Sequence, residues 1–130
     1  MRSKELKIQN GIDIIEVERI KEAIERQGES FLKRVFTETE ISYCNKSNKM
    51  KYQHFAGRFA AKEAVFKAIS NKIIDNKEDF WTKIEIKNDI TGKPVVNISK
   101  LELKNIISMD LSISHVKENA IACFTIIFEN

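Results

Sequence analysis

Apolar and polar residues follow one another along the chain in a pattern that predicts strands near both ends and helices between them. A strand is expected over residues 6–15, with a bend or bulge at Asn10 and Gly11. A surface helix follows and ends near Gly28, because three apolar residues recur at helical spacing: Val17, Ile20 and Ile24. Residues 31–36 continue the apolar face as a short helical turn.

The longest helical signal covers residues 52–74. Its large apolar side chains recur at steps of three or four residues: Phe55, Phe59, Phe66, Ile69 and Ile73. Just upstream, Thr37 and Glu40 have the spacing of a capping box, which predicts a separate helix at that point. The length and aromatic content of the 52–74 segment make it the expected central helix.

Two hairpins are predicted after the central helix. The first joins residues 83–87 to residues 95–98. The second joins residues 111–114 to residues 120–128, and a short helix through 101–107 is expected between the two hairpins. Together these elements predict a single α+β domain over residues 1–130, in which a long central helix packs on antiparallel β-hairpins.

Composition excludes several classes of protein. The chain has 130 residues, which suits one domain, and its 22 basic and 19 acidic residues leave a net charge of only +3. Such a small excess does not by itself indicate a nucleic-acid partner. The two cysteines, Cys44 and Cys123, lack the spacing of a zinc site, and reduced thiols favour the cytoplasm. The longest apolar stretch, residues 120–128, is too short to span a membrane.

Charged residues on the central helix suggest chemistry. Lys62 falls in the middle of the apolar stripe, so its ammonium must pair, extend to solvent along its stem, or face a cavity that holds an anion. Glu63 lies at the rim of the stripe, four residues before Lys67. These two residues form either an ordinary surface ion pair or part of an anion and metal site.

Three further segments carry candidate chemistry. Asp13 stands between apolar residues, either as a bulge or capping residue or as a metal ligand. Together with Glu63 it would suit Mg²⁺ and therefore phosphoryl chemistry. His115 closes the run Ser112-Ile113-Ser114-His115, where it either binds a phosphate or caps a turn, and Gly92-Lys93-Pro94 is by default a simple turn.

These segments together resemble one family. The run of residues 56–64, AGRFAAKEA, with Lys67 and Ala68 after it and with Gly11-Ile12-Asp13 and Arg19 before it, resembles the holo-acyl-carrier-protein synthases, the small phosphopantetheinyl transferases. The Gly92-Lys93-Pro94 and Ser112 to His115 runs are also similar, and the resemblance extends over residues 8–127. Two departures are Gln9, where the family usually has glycine, and Ser70-Asn71-Lys72, where it has a Gly-Thr-Gly-like turn.

The resemblance implies a phosphopantetheinyl transferase-like fold and a defined reaction. The phosphopantetheine arm of coenzyme A, the substrate, would pass to a serine of apo-acyl carrier protein, with release of adenosine bisphosphate, in support of fatty acid biosynthesis. Mg²⁺ would be held by Asp13 and Glu63, and the catalytic residues would be Asp13, Glu63 and Lys67. The implied contacts to coenzyme A are Arg58, Lys62, Gly92, Lys93, Pro94 and His115.

The family also implies two kinds of protein contact. A homotrimer is expected, with each active site built between adjacent subunits. The helix that follows Asp13 would dock on the acidic carrier protein through Arg19 and Arg26, although both arginines also fit an ordinary solvated face.

Two rival functions are less well supported by the residues. A small nucleic-acid-binding domain would use a basic segment with nearby rings, here Lys46, Lys49, Lys51, Tyr43, Tyr52 and His54. It would need a continuous basic face with stacking aromatics, whereas acidic residues are interspersed along the chain and most Phe residues follow core periodicity. A noncatalytic protein of similar fold would be expected to lack the carboxylate pair, which this chain retains. Neither a nucleic-acid nor a membrane partner is therefore predicted.

Overall fold

The computed structural model describes residues 5–73 and 76–130. Within these ranges the helices are α1 (Val17–Gln27), α2 (Glu29–Val35), α3 (Glu38–Cys44), α4 (Lys51–Ile69) and α5 (Lys77–Phe80). The strands are β1 (Leu6–Glu16), β2 (Glu85–Asn88), β3 (Pro94–Asn97), β4 (Ile106–His115) and β5 (Asn119–Glu129). Short 3₁₀ turns occupy Ser70–Lys72, Trp81–Lys83 and Ser99–Leu101.

The strands form two antiparallel sheets. The larger sheet has the order β1-β5-β4, so the last strand of the chain lies between the first strand and β4. The smaller sheet is the hairpin β2-β3, which the alternation of residues had predicted. An α+β fold with a long helix and antiparallel strands is thus confirmed.

Strand β1 is continuous, and the predicted bend at Asn10 and Gly11 is wrong. The register with β5 runs without a break from Leu6 opposite Glu129 to Glu16 opposite Asn119. Gly11 serves close packing instead, because a Cβ atom added there would lie 1.9 Å from the carbonyl oxygen of Ala64 on α4. The backbone of β1 therefore rests directly on the central helix.

Helix α4 crosses the middle of the molecule and is buried on almost every side. Its alanines pack against the large sheet, whereas Phe55 packs against α1 and α2. The prediction of a single buried stripe of large side chains is therefore wrong. Phe59 and Phe66 are only half-buried, and small residues make much of the contact between α4 and the sheet. Small side chains let the strands approach the helix closely. The buried alanines are Ala56, Ala60, Ala61, Ala64 and Ala68.

Two predicted helix boundaries differ from the structure. The central helix ends at Ile69 and continues as a 3₁₀ turn, and its predicted last residue, Ile74, lies outside the described residues. The helix expected through residues 101–107 is replaced by a single 3₁₀ turn and the start of β4. Glu102 and Asn105 adopt positive φ angles of 54° and 66°, which a right-handed helix cannot accommodate.

Other local predictions are confirmed. Helix α1 ends just before Gly28 and buries its three periodic apolar residues. Thr37 and Glu40 form both hydrogen bonds of a capping box at the start of α3. Among the described residues, none of the helices combines the length and the apolar character that crossing a bilayer would require.

Candidate active site

Asp13, on β1, contacts a lysine of the central helix. Its Oδ1 accepts a hydrogen bond from Lys67 Nζ at 3.1 Å, and the same ammonium donates to the carbonyl oxygen of Ile12 at 3.0 Å. Asp13 lies two residues beyond Gly11 on the same face of β1, so the close approach of strand and helix brings it to α4. A largely shielded carboxylate thus meets a cation of α4.

Glu63 lies one turn before Lys67 but pairs with a different lysine. Its Oε1 is 2.7 Å from Nζ of Lys77, at the start of α5, and the Glu63 side chain is only 13% exposed. The Lys77 ammonium also lies over two rings, 5.3 Å from the centroid of Phe66 and 5.5 Å from that of Trp81. Glu63 and Lys67 therefore pair with residues of other elements: Lys67 with Asp13 of β1, and Glu63 with Lys77 of α5.

The carboxylates of Asp13 and Glu63 suit a hard divalent cation. Within residues 5–73 and 76–130 no cluster of three or more Asp, Glu, His or Cys side chains is placed to hold a metal. A zinc site would need three or four protein ligands, whereas Mg²⁺ takes one or two carboxylates and completes its shell with water and phosphate oxygens. The donor set, one carboxylate on β1 and one on α4, therefore fits Mg²⁺.

Lys62 lies in the core, and the expectation that it contacts coenzyme A needs correction. Its side chain is fully buried, with Nζ 2.6 Å from Glu40 Oε1 and donating to the carbonyl oxygens of Val35 and Trp81, both at 2.8 Å. Burial lowers the pKa of Lys62, and the Glu40 carboxylate opposes that shift. An ammonium has three N–H groups, so none is left for a phosphate. The sequence left open whether Lys62 pairs with an acid, extends to solvent or faces an anion cavity; the structure shows that it pairs with Glu40.

Glu40 completes this buried ion pair. Besides Lys62, its carboxylate accepts hydrogen bonds from the backbone N–H groups of Thr37 at 2.8 Å and Ile86 at 2.7 Å. Glu40 is itself fully buried. One ion pair therefore connects the ends of α2 and α3, the middle of α4, the 3₁₀ turn at Trp81 and strand β2.

A second group of predicted residues gathers around Arg58. Arg58 as a residue is 6% exposed; its guanidinium donates from Nη2 to Asn88 Oδ1 at 3.0 Å and lies 4.2 Å from the centroid of the Tyr43 ring. Its Nε is buried and has no hydrogen-bond partner among the described residues. A pocket of about 170 Å³ beside it brings together four residues expected to bind coenzyme A: Arg58, Gly92, Pro94 and His115.

The Lys93 side chain does not join this pocket. Its Nζ lies 2.8 Å from Asp110 Oδ1, and the hydrogen bond to that carboxylate raises the pKa of Lys93. The turn itself is well formed, because Asp89 Oδ1 accepts hydrogen bonds from the backbone N–H groups of Thr91 and Lys93. The structure therefore places the backbone of the turn at the Arg58 pocket and directs the Lys93 ammonium toward β4.

Two histidines form another wall of the pocket. His115 Nδ1 lies 3.0 Å from Gln53 Oε1, and the His115 ring lies 5.8 Å from the ring of His54. Burial, followed by the charges of His115 and Arg58, lowers the pKa of His54. The contact between His115 Nδ1 and Gln53 Oε1 joins the imidazole to helix α4. His115 is therefore held by α4 and does not merely cap a turn.

Comparison with known proteins identifies the family. A model of the 4'-phosphopantetheinyl transferase superfamily matches residues 9–124. The chain belongs to this superfamily. A holo-[acyl-carrier-protein] synthase of Clostridium tetani is 48% identical over 117 residues, which cover 86% of this chain and 89% of that protein. The family resemblance read from the motifs is thus confirmed.

Solved structures of the same family share the fold. The holo-(acyl-carrier-protein) synthase from Bacillus anthracis, in complex with CoA (3',5'-ADP), superposes with a TM-score of 0.78 at 36% identity and covers 95% of this chain and 99% of its own. That of Helicobacter pylori, in complex with coenzyme A, has a TM-score of 0.76 at 32% identity, with 90% and 98% covered.

The sequence analysis placed two residues of this region on a different surface and did not identify two others. Tyr43 and His54 had been grouped with a nucleic-acid surface, but both line the Arg58 pocket, where the guanidinium covers one face of Tyr43. Asn88 and Lys77 belong to no motif of the family. For Asn88 a usable signal was its place at the end of a hairpin strand, close to the Gly92 turn, whereas the contact of Lys77 depends on tertiary structure alone.

Replacing Lys62 by methionine should strongly destabilise the protein. The variant leaves the Glu40 carboxylate buried without its cation, and loss of one partner of a buried pair typically costs about 3–5 kcal/mol. Urea unfolding at fixed protein concentration measures this loss. The double variant Glu40→Gln with Lys62→Met, which removes both charges, should recover part of it. Unfolding of Lys62→Met at the wild-type urea concentration would contradict the structural role.

Proposed function

We propose that this chain transfers the phosphopantetheine arm of coenzyme A to a serine of apo-acyl carrier protein, which yields holo-acyl carrier protein and adenosine bisphosphate and supports fatty acid biosynthesis. The observation that carries the proposal is the pair of shielded carboxylates near Lys67: Asp13 on β1, which pairs with Lys67, and Glu63 on α4, one turn before it. Curated relatives with the holo-[acyl-carrier-protein] synthase name reach 48% identity over most of the chain.

The chemistry is a displacement at phosphorus. The serine oxygen of the carrier forms a bond to the phosphorus on the pantetheine side of the pyrophosphate, and the bond from this phosphorus to the bridging oxygen breaks. Adenosine bisphosphate leaves with the bridging oxygen. Glu63 is the proposed acceptor of the serine proton, and Lys67 stabilises the negative charge on the phosphates. Such a reaction depends mainly on position and on neutralisation of charge.

Asp13 and Glu63 are also the residues that would hold Mg²⁺. When bound, the ion would supply positive charge to the pyrophosphate oxygens. The two carboxylates are held in place by the chain itself, Asp13 through the close contact of β1 with α4 and Glu63 through its position on the helix. Lys67, which donates to a backbone carbonyl as well as to Asp13, keeps an ammonium beside the same site.

The nucleotide end of coenzyme A is proposed to bind at the Arg58 pocket. The Nε atom of the guanidinium there has no hydrogen-bond partner among the described residues, and His115, Gly92 and Pro94 line the same pocket. A cleft of about 640 Å³ adjoins the pocket and shares Tyr43, Arg58 and Asn88 with it. The two spaces together suit a ligand longer than a mononucleotide.

The proposed active site needs a second copy of the chain. Arg58 and Glu63 are five residues apart on α4, so their side chains leave the helix about 140° apart. A single chain therefore directs its carboxylates and its nucleotide pocket to different sides. The outer face of the large sheet offers an interface, since it is apolar and exposed: Leu6, Ile8, Ile12, Ile14 and Ile121. We assign this face to a homotrimer in which one chain supplies the carboxylates and its neighbour the pocket.

The carrier protein is proposed to dock on helix α1. Arg19 and Arg26 are exposed and lie seven residues apart, nearly two turns, on the side of α1 that is not buried. Acyl carrier proteins are acidic, and a guanidinium suits a carboxylate.

The cytoplasm is the proposed location, supported by Cys44 and Cys123, both of which are unpaired thiols.

The transfer reaction itself should depend on both carboxylates. Asp13→Asn and Glu63→Gln should each lower the transfer rate about 100-fold or more, because each removes an anionic oxygen while the side-chain volume is kept. Intact mass spectrometry of the carrier after incubation with coenzyme A and Mg²⁺ measures transfer. Glu118→Gln, at an exposed position in the β4–β5 turn, is the matched control and should be fully active. Near wild-type turnover in either site variant, with normal circular dichroism, would refute the assignment.

Mixed assemblies should reveal a site shared between chains. Asp13→Asn and Arg58→Ala should each be inactive alone, but equal co-expression should restore transfer, because about a quarter of inter-chain sites then combine intact halves. Sedimentation equilibrium should give a trimer. If each chain instead held a complete site, mixing would restore nothing.

The docking of the carrier is tested by charge reversal. Arg19→Glu with Arg26→Glu should raise the KM for the carrier about tenfold or more and leave the KM for coenzyme A nearly unchanged, because charges at the rim of an interface guide encounter and orientation. Lys100→Glu with Lys104→Glu, also exposed, is the control with the same change in charge. Equal effects on both substrates, or none on the carrier, would exclude α1 as the docking surface.

A further inference from the structure

The ion pair between Glu63 and Lys77 is shorter and better shielded from solvent than an exposed surface pair of the same protein. Its two atoms are 2.7 Å apart, and the Glu63 side chain is 13% exposed. For comparison, Lys33 and Glu29 are 3.6 Å apart with side chains 73% and 83% exposed. The Lys77 ammonium is further held over two aromatic rings, at 5.3 and 5.5 Å from their centroids.

Those rings are themselves fixed in the fold. Trp81 stacks on Phe59 with centroids 5.2 Å apart, and its carbonyl oxygen accepts a hydrogen bond from the buried Lys62. Phe66 packs edge-on against the fully buried Phe80, with centroids 4.8 Å apart. The ammonium of Lys77 therefore sits in a rigid aromatic frame directed at Glu63.

The two carboxylates of the proposed metal site are electrically balanced by two lysines. Asp13 is paired with Lys67, and Glu63 is paired with Lys77. The two negative and two positive charges cancel, so the group as a whole offers little attraction to a free divalent cation. An ammonium on Glu63 Oε1 also occupies an oxygen that a metal ion would need.

We propose that Lys77 is a counter-ion of Glu63 that a divalent cation must displace, and that Lys77 thereby keeps the affinity of the site for free metal low. The inference rests on the proposed function, since it takes Asp13 and Glu63 as the metal ligands. Lys77 is paired with the carboxylate of Glu63, so its removal leaves one uncompensated negative charge at that carboxylate. The phosphates of coenzyme A can accept the displaced ammonium, which couples metal binding to substrate binding.

The test measures binding of Mn²⁺ alone to the full-length protein, by electron paramagnetic resonance of the free ion, without coenzyme A or carrier. Lys77→Gln should bind Mn²⁺ at least fivefold more tightly than the wild type. Lys72→Gln is the matched control, because Lys72 is an exposed lysine with the same change in charge and lies over the ring of Phe128, away from Glu63. It should bind within twofold of the wild type, and Lys77→Arg, which keeps the charge, should bind like the wild type.

A double variant shows whether the effect passes through Glu63. In Glu63→Gln with Lys77→Gln the gain in affinity should disappear. Coenzyme A should tighten Mn²⁺ binding more in the wild type than in Lys77→Gln, because only the wild type has the Lys77 ammonium on Glu63 to relocate. The proposal is overturned if Lys77→Gln binds Mn²⁺ no more tightly than Lys72→Gln, or if neither binds it.

Failure of this inference can be told apart from failure of the proposed function. If Asp13→Asn and Glu63→Gln abolish transfer while Lys77→Gln leaves Mn²⁺ affinity unchanged, the transferase assignment holds and only the counter-ion role is wrong. If those carboxylate variants transfer normally, the proposed metal site itself is wrong, whatever Lys77 does.

Discussion

The buried ion pair of Lys62 and Glu40 is the interaction on which the arrangement of the other elements depends. A charged pair in a core is tolerated only when every donor and acceptor finds a partner. Here the ammonium reaches three oxygens, and the carboxylate also takes two backbone N–H groups. These partners belong to four segments besides α4, so the hydrogen bonds fix the position of each of the four relative to α4. An apolar pair of the same volume could fill the space but would not specify these positions.

Both halves of the proposed active site are attached to this pair. On one side, the hydrogen bond to the Trp81 carbonyl fixes the ring that lies under Lys77 and thus the environment of Glu63. On the other side, the N–H of Ile86 binds Glu40 and places strand β2, whose last residue, Asn88, holds Arg58. Lys62, which the family motif had assigned to coenzyme A, therefore lies beneath the proposed site and positions residues that belong to it.

Much of the fold was readable from the sequence because local chemistry determines it. The capping box at Thr37 and the periodic residues of α1 involve neighbours within four positions, and both were predicted correctly. Contacts over longer distances were not readable. Nothing in the spacing of Lys62 names Glu40 as its partner, 22 positions away, and nothing around Gly11 shows that a helix backbone passes above it. The family motifs located Asp13 and Glu63 but could not reveal their lysine partners.

The cations of the AGRFAAKEA segment differ in what they can still bind, and this difference assigns their roles. Lys62 has all three of its N–H groups engaged by protein oxygens, so it is structural. Arg58 is nearly as buried and donates from Nη2 to Asn88, yet its Nε has no partner among the described residues. A guanidinium has five N–H donors. Stacked on the ring of Tyr43 and held by Asn88, the Arg58 guanidinium has a fixed orientation, which suits the anionic ligand proposed for its pocket.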